Sequence, residues 1–169
     1  MSLAPLSSNL GVSRAKHLLR RACFHYNKDL LYTISELNVD QAINHLLQDD
    51  TISYEEPYDP LPSDSPHGYW LSSNEYPPDI PNQGRKRGLL SQWWFYNMVN
   101  RNNLKDKLLF FLHTTFTISK GDVGASHYFY DHLRLLEYYS AGNLRELAKK
   151  ITLDNAMLNY LDNTQNNAN

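Results

Sequence analysis

His113 lies inside an apolar run, Phe110-Phe111-Leu112-His113-Thr114-Thr115-Phe116. A buried imidazole needs a hydrogen-bond partner, because a buried polar group left unpaired costs free energy. With a suitable partner it can hold a ligand or act as a general base. The blander reading is a core histidine satisfied by a neighbour, and the run alone favours it.

His127, Asp131 and His132 form a second cluster. His127 and Asp131 are four apart and share a helix face, so both can reach one cation. His132 points elsewhere, about 140° around a regular helix from His127. Two ligands on one helix do not complete a metal site, so no metal is assigned. A surface ion pair is the simpler reading.

Residues 54 to 79 mix Tyr54, Tyr58, Tyr69, Trp70 and Tyr76 with acidic side chains. Aromatic faces suit sugar rings, and paired carboxylates cleave glycosidic bonds. The spacing fixes no such pair, and a packed irregular loop accounts for the same residues. Arg85-Lys86-Arg87 beside Trp93 and Trp94 has the chemistry of a nucleic-acid contact. The run is short and the net charge is -2, so no nucleic acid is expected. A solvated basic helix start beside an acidic arm is the preferred reading. No P-loop, dinucleotide fingerprint, nucleophile elbow, HExxH or CxxC occurs, so the sequence points to no cofactor.

The elements that must position these residues read as helices. The chain has 169 residues, 41% hydrophobic and 20% charged, a composition of globular proteins. The single cysteine, Cys23, excludes an internal disulfide. No run is long enough for a transmembrane helix, and the start lacks a signal-peptide pattern, so cytoplasm is the default compartment.

Ser13 is expected to cap a helix reaching Phe24, with Ala15, Leu18, Leu19, Ala22 and Cys23 as its stripe. Arg14, His17 and Arg21 share another face. Short helices follow from Asp29 to Leu37 and from Asp40. Helix returns at Gly88 and runs to Asn100. Asn103 caps the next, from Leu104 to Thr117, which is apolar on most sides and is expected to be the central buried helix. Ser126 to Tyr139 is helical and closed by Gly142 as a C′ glycine. Asn143 with Glu146 resembles a capping box, and Asp154 caps a last short helix.

Between these helices lies a different segment. Seven of the eight prolines fall between Pro57 and Pro81. From Leu30 to Asp79 there are ten acidic residues and no Lys or Arg; from Arg85 to Lys120 there are seven basic residues and one acid. Intramolecular matching of these blocks is expected. No strand pattern appears. The fold class is all-α: an irregular multi-helix cluster with a long Pro/Tyr-rich loop. It divides into N-terminal short helices (1–50), a Pro- and aromatic-rich acidic arm (51–87), a main helical bundle (88–162) and a polar tail (163–169), within one domain overall.

Four stretches, in order and at their spacings, resemble the bacterial "domain of unknown function 1800" family. They are His17-Leu-Leu-Arg-Arg-Ala22, Leu108-Leu-Phe-Phe-Leu-His-Thr-Thr-Phe116, Gly142-Asn-Leu-Arg-Glu-Leu147 and Asp154-Asn-Ala-Met-Leu-Asn-Tyr-Leu-Asp-Asn163. The resemblance implies a helical fold and supplies no reaction. The family's central helix carries Trp-His-Asn-His-Phe; here Leu112, His113, Thr114, Thr115 and Phe116 match it, so one histidine is Thr115. The family continues beyond the Asp-Asn-rich stretch. The resemblance therefore implies that this chain is the N-terminal part of a longer protein, or a naturally truncated copy, with its tail as the expected truncation point.

Two functional expectations follow. In the first, the chain is part of a bacterial hydrolase-like enzyme whose site is incomplete here. His113 and His17 are its catalytic candidates, Arg20, Arg21, Asp162 and Asn163 its binding candidates, and His17, Asp162 and Asn163 line the cleft of His113. In the second, it is a binding or assembly module using Tyr69, Trp70 and the acidic arm on a protein or glycan. If neighbours of the Leu104–Thr117 helix lie outside the chain, self-association is expected.

Overall fold

Apolar residues at helical spacing become eight α-helices in the computed structural model, which describes residues 6–48, 55–61, 68–71 and 82–165. The fold is all-α, with no strand among the described residues. One isolated antiparallel bridge joins Asp59 and Gly68. Much of the proline-rich arm lies outside the described residues. No described helix is long and apolar enough to cross a membrane. The chain divides into two units, residues 1–52 with 97–108 and residues 53–96 with 109–169.

The first unit is built on α1 (Gly11–Ala22), α2 (Lys28–Ser35) and α3 (Val39–Leu47). The stripe of α1 buries as expected. Ala15, Leu19, Ala22 and Cys23 pack with Leu10, Ile34, Ala42 and Leu46. The start of α1 differs from expectation. Ser13 lies inside the helix, and no side chain caps it. Instead Gly11 adopts φ +67, a conformation open to glycine, and the Leu10 N–H donates to the Leu37 carbonyl at 2.9 Å.

Asparagines begin the next two helices. The Asn27 side chain accepts from the Leu30 N–H. Asn38 and Gln41 complete a reciprocal capping box at 3.0 and 3.2 Å. The expected starts at Asp29 and Asp40 were displaced because the acids sit within the first turns, where they favour the helix dipole. In the same unit Asn103 caps the Asp106 N–H at 3.1 Å, as its position predicts. Arg101 donates to the buried Asp106 carboxylate at 2.7 Å.

The second unit takes residues of α4 (Gln83–Asn100) up to Tyr96 and of α5 (Leu104–Thr115) from Leu109. It adds α6 (Ser126–Tyr138), α7 (Leu144–Ile151), α8 (Asn155–Tyr160) and a 3-10 turn, Asn163–Gln165. Leu90, Trp94, Leu109, Leu112, Phe129, Leu133, Leu136 and Leu147 are buried.

Helix α4 begins at Gln83, five residues before the expected Gly88, and the reason is chemical. Asp59 is wholly buried and draws in the helix's first turn. Both its oxygens lie 2.7 Å from Arg85 Nη1, and one is 3.4 Å from Lys86 Nζ. Burial pushes the Asp59 carboxyl up, but the Leu61 N–H, Arg85 and Lys86 outweigh this and hold it below its usual range. Lys86 is itself fully buried, with its ammonium 5.2 Å from the centre of the Trp70 ring. The basic helix start is thus not a solvated patch. It is matched by an acid of the acidic block, as the charge layout suggested.

Three further expectations change. Phe110 and Phe111 of α5 are 40% and 62% exposed, so that helix is not enclosed on all sides. It ends at Thr115, where the Thr114 and Thr115 hydroxyls donate back to the Phe111 carbonyl. Gly142 is not a left-handed cap: α6 ends at Tyr138, and Gly142 closes a following turn onto the Tyr139 carbonyl. Asn143 caps α7, but Glu146 pairs with Lys149 at 2.8 Å instead of completing the box.

Candidate functional site

The site forms in the second unit, where α5, α6 and α8 each bring one polar side chain to an apolar interior. On α6, Phe129, His132, Leu133 and Leu136 follow the spacing of the buried stripe. A histidine therefore occupies a core position, and it is fully buried. Its partner comes from the cap of α8. Asp154 begins that helix by accepting the Met157 N–H at 2.9 Å. The same carboxylate oxygen lies 2.8 Å from His132 Nδ1. A carboxylate only accepts, so Nδ1 carries the proton and Nε2 keeps its lone pair. Nε2 is buried without a hydrogen-bond partner.

His113 stands against this pair, with its ring centre 5.8 Å from that of His132 and the planes at 69°. Trp94 meets it edge-on at 4.9 Å, and Phe129 lies 6.4 Å away. His113 Nδ1 is also buried and unpartnered. Burial, with the neighbouring His132 adding to it, pushes the His113 pKa down to about 4. At neutral pH this ring is uncharged and offers a lone pair. Asp131, next to His132 in sequence, has its pKa raised by burial and by the Asp154 charge.

Two imidazoles with open nitrogens, one buried and fixed by a carboxylate and one half-buried, can take a proton from water or a hydroxyl, or hold a polar ligand. Sequence reasoning selected His113 and missed His132 and Asp154 as its company. The signal was present: a histidine at a stripe position of α6, and a capping aspartate with a second oxygen to share. The rotation argument that set His132 apart from His127 was sound, but it pointed His132 into the core. Burial alone holds the His127 pKa below its usual value.

The other sequence candidates fall in several places. His17, Arg21 and Arg14 line a groove of the first unit, whereas Arg20 is exposed and not among the groove's walls. His17 therefore does not belong to the unit that holds His113. Asp162 is exposed with φ 56 and turns the chain at the end of α8. Asn163 lines a cleft with Thr115, Phe116, Met157 and Leu158, but neither His113 nor Asp162 is among its walls. Tyr69 is exposed and meets Tyr58 edge-on at 5.2 Å. Trp70 is 2% exposed, and its Nε1 donates to Ser126 Oγ at 3.2 Å. Its ring faces Lys86, so Trp70 anchors its segment and offers no free stacking surface.

The family model described as "Protein of unknown function (DUF1800)" matches residues 17–169. The chain belongs to this family. The match takes in every residue of the imidazole site and all four stretches that carried the resemblance. No curated protein and no solved structure matches the chain. DUF1800 membership thus agrees with the helical fold and leaves the chemistry to be argued from the site itself.

Proposed function

We propose that this DUF1800 chain carries the imidazole part of a hydrolytic site, within a larger enzyme. The observation that supports this is the buried His132–Asp154 pair set against His113. Asp154 fixes the tautomer of His132, so its Nε2 is always the basic nitrogen. Only His113 of the two rings is partly exposed, so it is the imidazole that water or substrate meets first. Its neutral form at pH 7 accepts a hydrogen bond from the attacking hydroxyl. His113 takes the proton of that hydroxyl and returns it to the leaving group, while the Asp154 carboxylate behind His132 offsets the positive charge that His113 carries in between. Further substrate-binding residues are supplied by the rest of the enzyme.

The test uses the protein as its native host makes it, with its intact mass measured first. Ester, phosphate-ester, peptide and glycoside substrates are assayed with the wild type and with His113→Ala, His132→Ala and Asp154→Asn. One substrate class should be hydrolysed, and each variant should lose at least a hundredfold in kcat. Folded variants that keep wild-type rates would remove the reading.

A second reading, a glycan- or protein-binding module, is favoured by the exposed Tyr58–Tyr69 pair. Tyr58→Ala with Tyr69→Ala should abolish capture of such a partner and leave hydrolysis unchanged.

A further inference from the structure

Apart from the imidazole site, the first unit holds a groove whose walls are chemically distinct. It is lined by Leu10, Ser13, Arg14, His17, Leu18, Arg21 and Val39. Six of these follow one side of α1 and its lead-in at steps of three and four, so the groove runs along the helix. Val39 opens α3 on the other wall. The Leu10–Leu37 hydrogen bond ties that wall to the start of α1.

The charge in this groove is unbalanced. Arg14, His17 and Arg21 are exposed, and among the described residues none of their side chains makes an ion pair or hydrogen bond. No wall residue is acidic. Arg14 and Arg21 are seven residues apart, about 10 Å along the axis, with His17 between them. Two long guanidinium side chains can converge from the two ends onto one group above His17. Free guanidinium forks suit oxyanions with several acceptor oxygens, which they bind in a bidentate way.

The remainder of the lining is apolar: Leu10, Leu18 and Val39. An inorganic anion leaves this part uncovered, and a neutral hydrocarbon leaves two guanidinium ions unanswered. We propose that the groove binds a small amphiphilic phosphate monoester. Its phosphate lies between Arg14, His17 and Arg21, and its apolar body lies over Leu10, Leu18 and Val39. Arg20, one residue from Arg21 and outside the groove, makes no direct contact.

The probe is hexyl phosphate, with hexanol and inorganic phosphate as controls, titrated calorimetrically against the full chain. Hexyl phosphate should bind one to one and at least tenfold more tightly than either control. Arg14→Gln with Arg21→Gln should weaken it tenfold or more, and Arg20→Gln less than twofold. Both changes are at exposed positions, and circular dichroism verifies the fold. Equal affinity for hexyl phosphate and hexanol would overturn the proposal, and so would an unchanged affinity in the double variant. Retention on anionic lipid vesicles with no saturable hexyl phosphate binding would overturn it too, by assigning the cations to a lipid surface. Histidine variants of the imidazole site should leave this binding untouched, so failure here is separable from failure of the hydrolytic reading.

Discussion

Asp154 and His132 share a hydrogen bond of 2.8 Å through the same carboxylate oxygen that caps α8. One oxygen therefore sets the state of a buried imidazole and the start of a helix. The two roles separate by substitution. Asp154→Asn keeps an acceptor for the Met157 N–H but loses the charge. Asp154→Ala loses the cap, at about 0.5–2 kcal/mol. It also leaves His132 Nδ1 unpaired, at about 1–3 kcal/mol more. Urea denaturation should rank wild type above Asn above Ala. Equal midpoints for Asn and Ala would show that the cap carries no stability.

The pH dependence of stability should have two opposed parts. His113 titrates near 4 when folded against 6.5 unfolded. Between those values the unfolded chain binds the extra proton, so stability is complete above about 6.5 and falls as pH drops. Asp106 is raised by burial, against the opposing charge of Arg101, to about 6 from 3.8. Between those values the folded chain holds the extra proton, so this contribution falls as pH rises. His113→Asn should flatten the acid loss, and Asp106→Asn should steepen it. Urea midpoints from pH 4 to 7 measure both. Profiles that superimpose on the wild type would refute both assignments.

Lys86 depends on Asp59. Asp59→Asn removes a carboxylate charge 3.4 Å from a wholly buried ammonium, so the chain should lose stability. Adding Lys86→Met removes the buried charge, and Met packs against Trp70, so the double variant should regain most of that loss. A double variant less stable than Asp59→Asn alone would show that Lys86 is held by something other than Asp59.

Cys23 should be inert while the chain is folded. Burial raises its thiol pKa to about 11, Asp106 adds to this and Lys107 opposes it. At pH 8 roughly a thousandth of it is thiolate, and thiolate is the reactive form. A disulfide-exchange reagent should label it slowly in buffer and at once in denaturant. Rapid labelling in buffer would place Cys23 outside the core.

Helix content and the buried stripes were legible because apolar spacing is a local signal. Ala15, Leu19 and Ala22 on α1 and the Asn103 and Asp154 caps follow from it directly. What was not legible depended on contacts distant in sequence. Asp59 reaches α4 across 26 residues to bury Lys86, which by local pattern reads as solvated. His132 acquires its meaning from Asp154, 22 residues away. His113 could be chosen from its apolar surroundings, but its neighbours could not. The exposure of Phe110 and Phe111 was hidden for the same reason: hydrophobic residues report a tendency to bury, and the tertiary arrangement decides which of them do.

The Asp59–Gly68 bridge consists of two reciprocal backbone hydrogen bonds, both 2.9 Å. Gly68 makes it at φ +73, a conformation that glycine adopts readily. Each side of this neck is moored separately, Asp59 to α4 and Trp70 to α6. A peptide bond cleaved between them therefore releases neither end. Such a nicked molecule elutes as one species and separates into two fragments only when denatured. Because the neck is already closed, the chain can lengthen at this point for about 0.6 kcal/mol per doubling.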